Sequence, residues 1–139
     1  MKSGQVDTLR DLFEKEPEML TWMTPFGTWL HVAAAYGNLD VAEYLINQNV
    51  EIDTSEPDRN PLFAAIYGGH FEIVKLLIEN NIDISILFSG DNMKDMDAYA
   101  FAIERGQTEI AEYLMIIYIA RKMEREKVFI IFDGLIMNL

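Results

Sequence analysis

The sequence contains no cysteine, which excludes disulfides, cysteine-based metal sites and thiol catalysis. It also lacks a long apolar run, because its most apolar stretches, residues 113–120 and 128–132, are far shorter than a membrane-spanning helix of roughly 20 residues. The amino-terminal residues carry charges throughout, whereas a secretory signal needs an uninterrupted apolar stretch of about 7–15 residues. We therefore expect a cytoplasmic protein that does not enter membranes.

Basic residues are scarce. The 11 lysines and arginines face 23 aspartates and glutamates, which gives a formal net charge of -12. This charge repels a phosphate backbone, so we expect no binding to nucleic acid. It attracts a partner protein with a basic surface, although the same charge also simply keeps a small protein soluble. Half of the residues are hydrophobic, which is enough to build a buried core.

Signatures of catalysis are missing as well. The only histidines, His31 and His70, are not spaced as metal ligands, and no serine nucleophile motif, phosphate-binding glycine loop or dinucleotide fingerprint is present. Carboxylates are plentiful, but an acid–base pair needs a pocket that shifts its pKa. We therefore predict no enzyme activity, no cofactor and no metal.

An internal repeat dominates the sequence. Residues 27–46 align with residues 59–78 without a gap, at an offset of 32 that pairs Leu30 with Leu62 and Gly37 with Gly69. A third copy at 98–114 follows at an offset of 37, and a half-copy at 4–13 opens the chain. Each full copy has the pattern of two short helices joined by a glycine turn.

The ends of these helices are marked by residues with specific conformational roles. Asn60 and Thr28 are suited to cap the first helix of their copies, and Pro61 suits its first turn. Gly37, Gly69 and Gly106 are expected to end the first helices in the left-handed conformation. Since one helix pair cannot bury its apolar face alone, the copies must stack.

The repeat resembles a known family. A period near 33 with the motif Thr-Pro-Leu-His-x-Ala is similar to the ankyrin repeat. The residues that match this motif are Thr28, Leu30, His31, Ala33, Pro61, Leu62 and Ala65. The resemblance implies an all-α, ankyrin-like helical repeat solenoid with about three full repeats. It also implies that His31 joins neighbouring turns by hydrogen bonds, while His70 is expected to be an ordinary exposed residue.

We expect a single domain over residues 1–139 with atypical ends. Its parts are a half-repeat cap (1–22), two repeats (23–54 and 55–86), an atypical repeat with an insertion and an extended last helix (87–127), and an apolar tail (128–139). In the cap, Val6, Leu9, Leu12 and Phe13 are expected to face inward.

Two apolar segments have alternative interpretations. The tail folds back over the last repeat, or it serves as a dimer contact or a partner-binding segment. In the insertion, Ile86, Leu87 and Phe88 either fill a gap between repeats or are presented to a partner.

The resemblance also implies where a partner binds: on the concave side made by the turns before each helix pair and the exposed face of each first helix. The residues that match these positions, together with nearby aromatic residues, are Trp22, Phe26, Trp29, Tyr36, Glu56, Asp58, Arg59, Tyr67, Asp95, Met96, Glu104 and Arg105. Trp29 stands where the motif has proline and has no evident structural role, unless it packs with Trp22 or under the cap.

These residues favour a non-enzymatic module that binds a basic partner protein through an acidic concave face. A specific version is an inhibitor or immunity-type protein that neutralises a cationic effector. The alternatives are an adaptor or assembly scaffold and a regulatory fragment of a larger protein. We expect a monomer.

Overall fold

Pairs of antiparallel helices follow one another along the chain. The computed structural model describes the backbone of residues 3–90 and 93–137, and the side-chain surroundings of residues 5–90 and 93–127. The chain starts with α1 and a short 3-10 helix, and the third helix pair is preceded by a two-stranded ribbon. The elements are α1 (Ser3–Lys15), the 3-10 helix (Pro17–Thr21), α2 (Trp29–Tyr36), α3 (Leu39–Asn47), α4 (Pro61–Gly68), α5 (Phe71–Glu79), β1 (Phe88–Gly90), β2 (Met93–Met96), α6 (Ala98–Glu104) and α7 (Thr108–Met137).

The helices form two layers. The first helices of the pairs, α2, α4 and α6, pack side by side, and α1, α3, α5 and α7 form the second row. The core lies between the rows, where the repeat places Leu45, Leu77 and Leu114 at the same position, each with no exposed surface. The expected all-α repeat solenoid is confirmed.

The helix ends follow the predicted chemistry. The Asn60 side chain is buried and accepts a hydrogen bond from the Leu62 N–H at 2.9 Å, and the Thr28 side chain accepts one from the His31 N–H at 3.1 Å. Gly37, Gly69 and Gly106 all have φ between 71° and 74°, the left-handed region that glycine tolerates. Both expectations are confirmed.

The amino-terminal helix covers one end of the stack. Phe13 is buried, with its ring 6.3 Å from Tyr44 and 5.9 Å from Trp29, and Val6 and Leu9 are half-buried against the core. Leu12 is 37% exposed, so the expectation that it faces inward is wrong. Positions 6, 9 and 13 share one face of a helix, whereas position 12 is turned about 100° away from position 13.

The insertion folds into an antiparallel ribbon in which Phe88 pairs with Met96 and Gly90 with Met93. Phe88 is buried and Ile86 half-buried, while Leu87 is 60% exposed. The apolar segment therefore divides between the two expected roles. Phe88 fills the space beside α4, and Leu87 faces the solvent.

The last helix does not end where the sequence suggested. It continues through Met137, so the backbone of residues 128–137 prolongs α7 and does not fold back; the side chains of residues 128–139 lie outside the described residues. In the first two repeats the second helix is followed by Asn49 and Asn81, both with positive φ. Tyr118 stands at the equivalent position. A bulky residue disfavours the left-handed conformation, so nothing turns the chain there.

Tyr118 has a second role. Its hydroxyl donates to the carbonyl oxygen of Ile84 and also lies 3.1 Å from Asp97 Oδ2. These contacts join α7 to the chain on both sides of the ribbon, since Ile84 precedes β1 and Asp97 follows β2. Burial, reinforced by the charge of Asp97, raises the pKa of the Tyr118 phenol above its ordinary value. The hydroxyl therefore stays protonated and able to donate.

Replacing Tyr118 with Phe is expected to lower the free energy of unfolding by about 1–2 kcal/mol, because the Ile84 carbonyl loses its donor. Urea unfolding followed by circular dichroism measures the change. Tyr36→Phe is the matched control, since the Tyr36 side chain is 72% exposed. Equal effects of the two substitutions would contradict the structural role of the Tyr118 hydroxyl.

Candidate partner-binding groove

A groove of about 490 Å³ runs across the row of first helices. It combines residues of three helices with the turn before α4 and one residue of the ribbon. The lining residues, called the groove from here on, are His31, Ala35, Pro57, Asp58, Phe63, Ala64, Tyr67, Met93, Phe101, Glu104 and Arg105. Its volume is in the range of sites that hold a side chain or a small ligand.

The floor of the groove is aromatic. The Phe63 ring is stacked on the Phe101 ring with centroids 4.9 Å apart, and its other contact is the edge of Phe88 at 5.0 Å. Phe63 is buried and Phe101 half-buried. Since packing on several sides fixes these rings, the floor is a rigid apolar surface.

The rim is polar and charged. The Arg105 guanidinium lies 4.4 Å from the centroid of the Tyr67 ring, a cation–π contact that orients both side chains. Asp58 and Glu104 are exposed, and neither forms an ion pair with any described residue. A ligand with one apolar group and an adjacent cation would bury the former on the floor and pair the latter with these carboxylates.

The groove brings together four of the predicted residues: Asp58, Tyr67, Glu104 and Arg105. Sequence reasoning missed the floor residues Phe63, Phe101 and Met93. The sequence did contain one indication of this floor. Phe63 stands where the repeat motif has histidine, and a large apolar side chain at that position indicates an apolar surface.

The predicted tryptophans lie elsewhere. Trp22 and Trp29 line a pocket of about 240 Å³ with Glu51 and Asp53, near the amino-terminal end. Of the alternatives for Trp29, packing under the cap is the one that its contacts support: its indole N–H donates to the Met19 carbonyl oxygen at 2.7 Å. Together with its contact to Phe13, this bond fastens the short 3-10 helix to α2.

Asp53 in this second pocket is held ionised. The Ser55 hydroxyl and N–H both donate to Asp53 Oδ1, at 2.6 and 3.0 Å, and these bonds lower the pKa of the carboxyl group. Asp83 has the same arrangement with Ser85, and the pKa of its carboxyl group is lowered for the same reason. Both are turn-stabilising contacts.

The other predicted residues are not gathered in the groove. Phe26 is 74% exposed at the tip of the Thr24–Gly27 turn, and Tyr36 is 72% exposed at the end of α2. Glu56 Oε2 and Arg59 Nε lie 3.7 Å apart as an ion pair, which reduces the net negative charge of the turn before α4. Asp95 and Met96 belong to the ribbon, where the Asp95 N–H donates to the Ser89 hydroxyl.

The two histidines have roles that differ from those expected. His31 Nδ1 is buried without a hydrogen-bond partner among the described residues, so the predicted tie between turns is wrong. The Thr24 hydroxyl already closes that turn by donating to the Gly27 carbonyl oxygen at 2.7 Å. His70 is half-buried, with Nε2 3.2 Å from the Ala35 carbonyl oxygen, and thus connects neighbouring repeats.

Among the described side chains, those of residues 5–90 and 93–127, histidine and acidic residues do not cluster in a way that could hold a metal ion. No helix within the residues that the structure describes combines the length and the apolar character that crossing a bilayer requires.

Comparison with known proteins agrees with the fold. The family of ankyrin repeats in three copies matches residues 1–87 and 30–125. The ankyrin repeat and KH domain-containing protein mask-1 of Caenorhabditis elegans is 31% identical over 83 residues, which is 60% of this chain and 3% of that protein. Alpha-latrotoxin-Lh1a of Latrodectus hasselti is 39% identical over 57 residues, 40% of this chain and 4% of the toxin.

A solved structure is similar as well. A chain in the complex of the Bd0816 predatory endopeptidase from Bdellovibrio bacteriovorus with immunity protein Bd3460 matches with a TM-score of 0.55 and 26% identity. The match covers 68% of this chain and 46% of that chain. This chain therefore spans less than half of the solved chain and a small fraction of the curated relatives.

Proposed function

The chain belongs to the ankyrin repeat family and is a protein–protein interaction module, and from this premise we propose that it binds a partner protein with a basic surface through the groove. The observation that carries the proposal is a rigid aromatic floor beside the carboxylates of Asp58 and Glu104, which form no ion pair with the residues that the structure describes. Proteins of this family are in general non-enzymatic.

The charge of the whole chain supports a basic partner. A net charge of -12 attracts a cationic surface and speeds its approach, and Asp58 and Glu104 provide local attraction at the groove. Tyr67 and Arg105 are residue types that dominate binding energy at protein interfaces. The groove therefore favours a partner segment with an apolar residue beside a lysine or arginine, because the apolar residue can contact the floor and Tyr67 while the cation pairs with the carboxylates.

The finer role that we propose is inhibition. The likeness to a chain in a complex between an endopeptidase and an immunity protein supports an inhibitor of the immunity type, one that blocks a cationic effector. The predicted Trp22, Phe26, Trp29, Tyr36, Asp95 and Met96 extend the contact surface beyond the groove in this proposal.

A second candidate is an adaptor or a regulatory part of a longer protein. The observation that favours it is the small share of the curated relatives that this chain spans, 3–4% of their length. Capture of a partner that keeps its activity when bound would favour this candidate over the inhibitor.

Reversing both groove carboxylates tests the proposal. We expect the Asp58→Lys/Glu104→Lys variant to lose partners that wild-type protein captures from the native host, and binding of an identified partner to weaken about tenfold or more. The matched control is Asp11→Lys/Glu14→Lys, which makes the same charge change on α1, away from the groove. Wild-type binding should also weaken as salt rises, because the screening length falls from about 10 Å at 0.1 M to about 3 Å at 1 M. Salt-independent binding, or equal losses in the two variants, contradicts the proposal.

A further inference from the structure

The last helix exposes a row of large apolar side chains on the side that faces away from the stack. The row, called the α7 stripe from here on, consists of Met115, Ile116, Ile119 and Met123, which are 39%, 61%, 51% and 62% exposed. At about 100° per residue these positions share one side of the helix, opposite the buried Leu114. Contiguous exposed apolar surface of this kind marks an interaction site more often than isolated apolar residues do.

The α7 stripe spans the position at which the chain would have to leave α7 to begin a further repeat. After α3 and α5 the chain leaves the helix through Asn49 and Asn81 and starts the next helix pair. At Tyr118, the equivalent position, α7 continues without a break to Met137. The stripe runs past this point to Met123, so the repeat pattern itself does not supply a helix pair that covers it.

The charges on α7 indicate what can cover the stripe. Exposed Glu109 and Glu112 lie at its acidic end, and no charged residue occurs between positions 113 and 120. Residues 121–127 then place exposed Lys122, Glu126 and Lys127 on the stripe side, where basic side chains outnumber acidic ones by one. The helix is therefore acidic at one end of the stripe, apolar in the middle and predominantly basic at the other end.

This charge pattern is complementary to that of a second α7 helix that runs in the opposite direction. In an antiparallel pair of α7 helices, the acidic end of each copy lies beside the basic end of the other, and Ile116 and Ile119 meet near the two-fold axis. A parallel pair would bring like charges together. We propose that α7 forms the interface of a symmetric antiparallel dimer of this chain, in contrast to the monomer that the sequence favoured.

The dimer has a consequence for binding, although it stands independently of the proposed function. No groove residue belongs to α7, so dimer formation leaves both grooves free. Two grooves on one particle would bind a partner with repeated sites more tightly than one groove does.

Sedimentation velocity of the full chain over a range of concentrations tests the dimer. We expect wild-type protein to sediment as a concentration-dependent dimer and Ile116→Glu/Ile119→Glu to sediment as a monomer with unchanged circular dichroism. The matched control is Met23→Glu/Leu87→Glu, which changes two similarly exposed apolar residues away from α7 and should remain a dimer. Wild-type protein that stays monomeric, a stripe variant that stays dimeric, or loss of the dimer in the control overturns the proposal.

A charge exchange tests the antiparallel arrangement. Glu112→Lys alone should weaken dimerisation roughly two- to thirtyfold, since two equivalent attractions are lost by symmetry. With Ile116 and Ile119 near the axis, Glu112 of one copy lies beside Lys122 of the other. Adding Lys122→Glu in the same chain restores opposite charges across an antiparallel pair, so the double variant should regain most of the lost affinity. A double variant that is weaker than Glu112→Lys overturns the antiparallel arrangement.

Discussion

Leu77→Ala is expected to lower the free energy of unfolding by about 2–5 kcal/mol, which places it among the largest losses that a single truncation should cause in this protein. Leu77 has no exposed surface, and α5, on which it lies, packs against both α3 and α7. The substitution removes methyl and methylene contacts and leaves a cavity in the middle of the stack, where packing on both sides limits relaxation. Since the free energy of unfolding of a native protein is only about 5–15 kcal/mol, this loss is a large share of the stability.

Urea unfolding followed by circular dichroism at equilibrium measures the effect. Leu87→Ala is the control, because it deletes the same atoms from a side chain that is 60% exposed and should change stability by only about 0.5 kcal/mol. A loss below about 1 kcal/mol for Leu77→Ala would mean that the repeats do not form one continuous core.

The second large effect is expected at the turn between α2 and α3. Gly37 has φ of 74°, where an added Cβ costs about 1–2 kcal/mol, and this Cβ would lie 2.6 Å from the His70 ring. Gly106 has nearly the same φ of 73°, but an added Cβ there would lie more than 4 Å from the described atoms that could obstruct it. We expect Gly37→Ala to destabilise the protein by about 1 kcal/mol or more beyond Gly106→Ala, because only the first substitution also displaces His70.

A double-mutant cycle separates backbone strain from the clash. In a His70→Ala background the obstructing ring is gone, so Gly37→Ala should cost about as much as Gly106→Ala. The coupling between positions 37 and 70 is then about 1 kcal/mol, measured as the difference between the two backgrounds. Additive effects would show that His70 moves aside freely and does not hold the repeats together.

The contact between His70 and the neighbouring repeat illustrates what a sequence motif leaves open. The motif histidine, His31, was expected to tie adjacent turns, yet its Nδ1 has no partner within the described residues, while His70 lies against the Ala35 carbonyl oxygen. Which of two histidines bonds across repeats depends on the distance between helices that are 35 residues apart in sequence. Neither the composition nor the spacing of residues in the sequence predicts that distance.

Only part of the candidate site could be predicted, because distances between helices far apart in sequence also determine which residues line the groove. Tyr67, Glu104 and Arg105 could be placed on the exposed end of first helices from the repeat register alone. The aromatic floor could not, since Phe63 and Phe101 are 38 positions apart and come within 4.9 Å only when α4 and α6 pack side by side. For Trp29 the sequence left partner binding and packing under the cap as alternatives, and its bond to Met19 supports the packing.

The sequence by itself determined the features that local chemistry governs. Helix caps at Thr28 and Asn60 and the left-handed turns at Gly37 and Gly69 each depend on residues within a few positions, so the repeat and its stacking could be read directly. Only the tertiary structure decided the course of α7, the lining of the groove and the partners of His70. These depend on how helices distant in sequence pack, and that packing is a sum of many weak contacts which no short motif specifies.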